Sequence, residues 1–90
     1  MKDLYGGLCQ VTGRPVLDGI AGDLTEVHHI EWLSKGGADE PSNMIAVSPD
    51  IHAAIHAQEG RLEWEKGQPV LIIGVRRMPL AINKHLKPRE

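Results

Sequence analysis

The 90-residue chain reads as a small α+β domain. Three observations predict this. Two short runs, 24–30 and 44–47, contain apolar or β-branched residues and no breaker. The second run leads directly into Ser48-Pro49-Asp50, a helix start followed by residues at helical spacing. Beyond it, 61–65 alternates and 70–75 is aliphatic, with a turn between them, the pattern of a hairpin. A chain of this length is expected to form one domain, 1–90.

Taken in order, residues 1–22 are interrupted by Gly6, Gly7, Gly13, Pro15, Gly19 and Gly22. They predict loops with one short hairpin at Thr12-Gly13-Arg14-Pro15. Residues 24–30 predict a strand. Residues 31–43 are a long polar loop, in which Gly36-Gly37 supplies positive φ and Pro41 excludes a central strand. A loop of this length between two strands points to function. Residues 44–47 predict a second strand. In the helix, Ser48 suits the N-cap, Pro49 the first turn and Asp50 the positive end of the dipole. The helix is expected to end at Gln58 or Glu59, stopped by Gly60. Its inward stripe is Ile51, Ala54, Ile55 and Gln58, with His52 and His56 along the edge. Lys66-Gly67-Gln68-Pro69 is the hairpin turn, and 80–86 predicts a short helix before Pro88.

Composition narrows the function classes. There is no Phe, and the aromatics are Tyr5, Trp32 and Trp64, so the core is thin. Small folds of this kind lean on a metal, a disulfide or a second subunit. Cys9 is the sole cysteine, which excludes a disulfide within the chain. The longest aliphatic run, 70–73, is too short to span a membrane. With one cysteine and no apolar segment behind Lys2-Asp3, a cytoplasmic, non-membrane protein is expected. Net charge is −2, but residues 1–75 carry five basic against eleven acidic side chains, and 76–90 carry five against one. That basic end can meet phosphate locally. The aliphatic strand 70–75 needs cover on both faces, which predicts a homodimer through 61–75.

Four of the five histidines fall into one pattern: His28-His29, then Asn43, then His52 and His56. Neighbours on a strand point to opposite faces, so His28 and His29 serve different ends. One can join the helical pair at a metal while the other faces away, free to take a proton. Three imidazoles leave positions open for water and substrate, as catalytic metal sites do.

Glu26-Val27-His28-His29-Ile30, the Gly36-Gly37 loop, Asn43-Met44-Ile45 and the run from Ser48 to His56 together resemble the HNH endonuclease motif. The resemblance covers about residues 9–58 and implies the ββα-metal (His-Me finger) fold, followed by the C-terminal hairpin, the short helix and the basic tail. The pattern is most similar to the paired-His, Asn, His-xxx-His branch of the colicin DNases. What it implies is a metal-dependent DNA endonuclease. His28, His52 and His56 match the metal ligands, and His29 matches the general base that deprotonates the attacking water. Asn43 matches the central Asn, which either holds the loop that positions the base or binds the metal. Glu26 matches an acidic residue two before the first ligand and could orient a ligand from behind.

The implied cofactor is one divalent ion. Zinc or nickel suits three imidazoles by affinity, while magnesium or manganese often supports turnover in the family. No small-molecule cofactor is implied. Many relatives carry two Cys-x-x-Cys pairs on a structural zinc. Here only Cys9 remains, with Ser48 and Ile51 where the second pair would stand, so no four-cysteine structural zinc is expected and something must replace it. DNA contacts are expected from Arg76 and Arg77, then Lys35 and Arg14. The alternative from another class is a catalytically inactive, metal-stabilised DNA-binding module. Retention of His29 argues against it, because a pure binder has no use for the base.

Overall fold

The computed structural model describes residues 2–17, 19, 22–30, 37 and 40–87. A first helical turn, α1 (Lys2–Tyr5), leads through an irregular segment to β1 (Glu26–His29). A 3-10 turn, Pro41–Asn43, feeds β2 (Met44–Val47) and then α2 (Pro49–Gln58). The chain ends in β3 (Arg61–Glu65), β4 (Gln68–Ile73) and β5 (Arg76–Pro79). β1 and β2 form one antiparallel pair, and β3-β4-β5 a separate antiparallel sheet. α2 packs against both β1 and β4, so it is the shared wall of the two halves. The core between them joins Cys9, Ile45, Val47, Ile55, Leu71, Ile73, Leu80 and Leu86.

The helix starts and stops where the sequence predicts, but its caps work differently. Ser48 adopts the extended cap backbone without a side-chain bond to the helix N–H groups. Its hydroxyl serves Asp50 instead, and this side-chain hydrogen bond holds the Asp50 carboxyl below its usual value. At the far end Glu59, not Gly60, takes the left-handed conformation, at φ 51°. Gly60 is needed for closeness. A Cβ there would sit 3.2–3.3 Å from Ile55, tighter than ordinary van der Waals contact.

The expected strand 70–75 divides in two. Gly74 takes φ 60° and, with Val75, forms a two-residue hairpin turn, so Arg76 pairs back onto Ile73. Val75 at the tip is 99% exposed. Arg76-Arg77-Met78-Pro79 lacks the β-branched residues that mark a strand. Position beside β4 makes it one, and Pro79 is tolerated on the edge.

The short helix expected over 80–86 does not form. The segment is irregular, because its backbone donors are committed elsewhere. Leu80 N–H donates to Pro69 O at 3.1 Å and Ile82 N–H to Gln10 O at 3.1 Å. Asn83 Oδ1 then accepts the N–H groups of His85 and Leu86 at 3.3 and 2.8 Å, while Nδ2 donates to Leu86 O at 3.0 Å. Local side-chain bonds of this kind compete with a helix.

The apolar strand expected to drive a homodimer is covered within the chain. Val70, Leu71, Ile72 and Ile73 are all buried by the chain's own residues, so β4 offers no bare apolar face. Among the described residues, β3 and β5 are the edges of this sheet.

One edge controls the other sheet. Ile30 N–H donates to Asn43 O at 2.8 Å, which fixes the alternation along the β1–β2 ladder. His29↔Met44 and Val27↔Ala46 are therefore the pairs whose backbone groups point away from each other. On β2 this leaves Ala46 and Met44 with polar groups along the outer side, and Ala46 is fully buried. Gln10 pairs off those of Ala46. Its N–H donates to Ala46 O at 2.8 Å and its Oε1 accepts Ala46 N–H at 2.8 Å. Gln10 Nε2 also donates to Ile82 O at 3.2 Å. One fully buried glutamine thus ties the segments before β1 and after β5 to β2. Cys9 is buried apolar packing beside it.

Candidate metal centre

β1 and α2 bring three histidines together. Glu26 and His28 both meet His52 of α2, so they share the face toward the helix, and strand alternation gives His29 the other. His28 is buried at 3% exposure. His52 and His56 stand one turn apart on α2 and meet it edge to face, with ring centroids 5.3 and 5.5 Å from His28. One ligand nitrogen from each lies within 4.8 Å of the others.

Glu26 sets the chemistry of the pair. Its Oε1 lies 2.8 Å from His52 Nδ1. A carboxylate accepts, so Nδ1 carries the hydrogen and the Nε2 lone pair points into the cluster. His52 Nε2 and His56 Nε2 are 3.1 Å apart. A tetrahedral ion bonded at about 2.0–2.1 Å sets its nitrogens about 3.3 Å apart. The helical pair therefore suits one ion without repositioning the backbone. Burial, then the charges of His52, His56 and His29, push His28 down from 6.5 to about 4. It is neutral near pH 7, with its lone pair available. Three imidazoles, one held by a carboxylate, are a donor set of the type that suits zinc or nickel.

The remaining candidates are spread around this centre. His29 is half-buried on the opposite face of β1. Asn43 is buried, and its backbone joins the loop to the strand: its N–H donates to Glu40 O at 2.8 Å and its carbonyl accepts from Ile30 at 2.8 Å. Arg76 borders a groove of about 210 Å³ with Asp50, Ile51, Ala54, Ile73 and Met78. Ala54 lies two positions from both His52 and His56, about 200° around the helix. Arg76 is thus on the flank of α2 away from the histidines. Arg77 is ion-paired with Glu65. Arg14 is exposed on the 8–15 turn, which runs along the outer side of β2. Lys35 lies outside the described residues. The structure does not bring Arg14, Arg76 or Arg77 into the histidine cluster.

The family model of the HNH endonucleases matches residues 9–58, which span β1, β2, α2 and all three clustered histidines. The chain belongs to the HNH endonuclease family. Its helical His-xxx-His pair and strand histidine are the part of the HNH fold just described. The chain is also similar to a protein of Escherichia coli K12 named as the type IV methyl-directed restriction enzyme EcoKMcrA. The two are 34% identical over 59 residues, covering 63% of this chain and 21% of the relative. This HNH chain thus spans about a fifth of the relative's length. No solved structure matches it.

Two residues that brace this region escape a reading of the sequence. Gln10 and His85 both bind the outer side of β2. His85 is the one histidine outside the spaced pattern. The signal for it is Asn83 two residues earlier, which begins an Asx-type turn where a helix was expected.

Proposed function

We propose that this chain is a metal-dependent DNA endonuclease that hydrolyses phosphodiester bonds with one divalent ion and a histidine base. The observation that carries the reading is the placement of the two neighbouring histidines of β1. His28 faces the helical pair His52 and His56, and its neighbour His29 faces away. His28, His52 and His56 would hold a divalent cation, which would supply a Lewis acid for the phosphate and positive charge for the leaving oxygen. Glu26 orients His52 as a ligand through the 2.8 Å bond to Nδ1. His29 takes the proton of the attacking water, a role that suits an imidazole near neutral pH. Asn43 ties the end of the long loop to β1 through its backbone, beside the partner of His29, a place that suits a residue holding the base. We read the arrangement as the paired-His, Asn, His-xxx-His branch of the family, within a single domain over 1–90.

DNA as substrate follows from the family and from the relative that is named as a restriction enzyme. Arg76 and Arg77, both exposed on β5, would hold phosphates away from the one being cut. Zinc suits binding and magnesium or manganese suits turnover. A homodimer through 61–75 would use the open edge of β3, and light scattering decides it: one chain mass rules it out. The function itself is tested by stripping the protein with a chelator and resupplying zinc, nickel, manganese or magnesium with supercoiled plasmid. Conversion to open-circular or linear DNA only when an ion is returned is expected. A folded, metal-loaded protein that binds DNA and cuts none would favour a binding module.

A further inference from the structure

We infer that His85 is a positioning residue for the catalytic corner formed by His29, Asn43 and Met44. This rests on the nuclease reading above. His85 lies far along the chain from that corner, yet its Nε2 donates to the Met44 carbonyl at 2.8 Å. Met44 follows Asn43 directly and is the cross-strand partner of His29. Because His29↔Met44 is a pair whose backbone groups point outward, nothing on β1 can hold this carbonyl. The ring of His85 takes the place a third strand would have.

The ring is itself held on its other side. Tyr5 hydroxyl is bonded to His85 Nδ1. Since Nε2 must donate to a carbonyl, Nδ1 is the acceptor, and the tyrosine hydroxyl donates to it. The same hydroxyl accepts the Lys84 N–H at 3.0 Å. Tyr5 is buried, so this chain of bonds is shielded from water. Asn83 shapes the turn, and buried Leu86 anchors it to the core. The path from Tyr5 through His85 to Met44 joins the first turn of the chain and its last described segment to the residue beside Asn43. Met44 N–H is already used by Pro41 O, so both backbone polar groups of Met44 are fixed.

What His85 holds is orientation, not charge or metal. If Met44 relaxes outward, Asn43 and its bond from Ile30 move with it, and His29 loses its cross-strand support. A shift of about 1 Å away from the chemistry can cost about a hundredfold in rate. The ligands on α2 are carried by another element and stay in place.

The test compares wild type with His85→Ala, His85→Gln and Tyr5→Phe, each checked for folding by thermal melt. Gln can present its Nε2 to the same carbonyl. Expected for His85→Ala is a fall in kcat of about tenfold or more, with KM and zinc affinity within about twofold of wild type. His85→Gln should recover most of the loss, and Tyr5→Phe should fall between. Amide exchange at Ile30, whose N–H reports on Asn43 O, should quicken in His85→Ala and recover in His85→Gln. A folded His85→Ala with wild-type kcat and unchanged Ile30 exchange overturns the inference. So does a loss that Gln does not restore and that tracks the fraction unfolded, which marks a purely structural residue. If wild type itself cuts no DNA, the nuclease reading fails separately, and Ile30 exchange still decides whether His85 holds this corner.

Discussion

Removing the carboxylate behind His52 separates metal binding from folding. Glu26 sits at the first position of β1, with its side chain half exposed, and touches the centre through His52 Nδ1. Glu26→Gln keeps the shape and can still accept the Nδ1 hydrogen, but it lacks the charge. Glu26→Ala removes the acceptor and frees the ring to turn. Carboxylates behind a ligating histidine are worth about 10–100-fold in metal affinity. Exposure places Glu26→Gln at the lower end, about tenfold or about 1.4 kcal/mol. Glu26→Ala should lose more, toward a hundredfold. The assay is competition for zinc between the protein and a coloured chelator at fixed pH near 7, because binding displaces protons. Melts of the metal-free variants should match wild type, since strand pairing of Glu26 with Val47 runs through the backbone. A Glu26→Ala protein that holds zinc within twofold of wild type would refute the assigned tautomer and the orienting role.

Three further outcomes follow from the same geometry. Gln10→Ala strips partners from the buried Ala46 N–H and from the partly buried Ile82 carbonyl, and an orphaned buried group costs about 1–3 kcal/mol. Its melting temperature should fall by about 10 °C or more, and a shift under about 2 °C contradicts the stapling role. His28 is held at about 4 in the fold against 6.5 when unfolded. The unfolded chain therefore binds more protons between those values, so this stability is present above pH 6.5 and lost as pH falls toward 4. Urea melts of metal-free protein across that window check it: His28→Asn should flatten part of the slope, and an identical slope in the variant contradicts the assignment. Gly60→Ala should lower stability, because its Cβ would press on Ile55 at 3.2–3.3 Å. A stabilised variant would show instead that unfolded-state entropy dominates at that site.

The parts of the fold that local chemistry controls were legible from residues. Both short strands, the start of α2 and the first hairpin of the second sheet obey patterning and capping rules that act over a few positions. The opposed faces of His28 and His29 follow from strand alternation, and it is His28 that the structure brings to His52 and His56. What escaped depends on distant partners. β5 carries no strand signal of its own and exists because β4 offers it an edge. Residues 80–86 could be helical by periodicity, but Asn83 and the acceptors Gln10 and Pro69 claim its donors first. Gln10 itself has no local mark. Its importance comes from a bare strand edge 36 residues away. The basic residues are marked by charge and by their place on a loop or after a strand, and neither says which flank of α2 they reach.

The central claim is that one histidine of the His28-His29 pair binds the ion and the other moves the proton. The direct measurement sets His29→Ala beside His28→Ala, reading zinc affinity and metal-dependent plasmid cleavage on the same preparations. His29→Ala should bind zinc as wild type does and lose cleavage, by about a hundredfold or more as expected for a general base. His28→Ala should lose zinc affinity and cleavage together. Loss of metal from His29→Ala, or full cleavage by it, would contradict the division of roles.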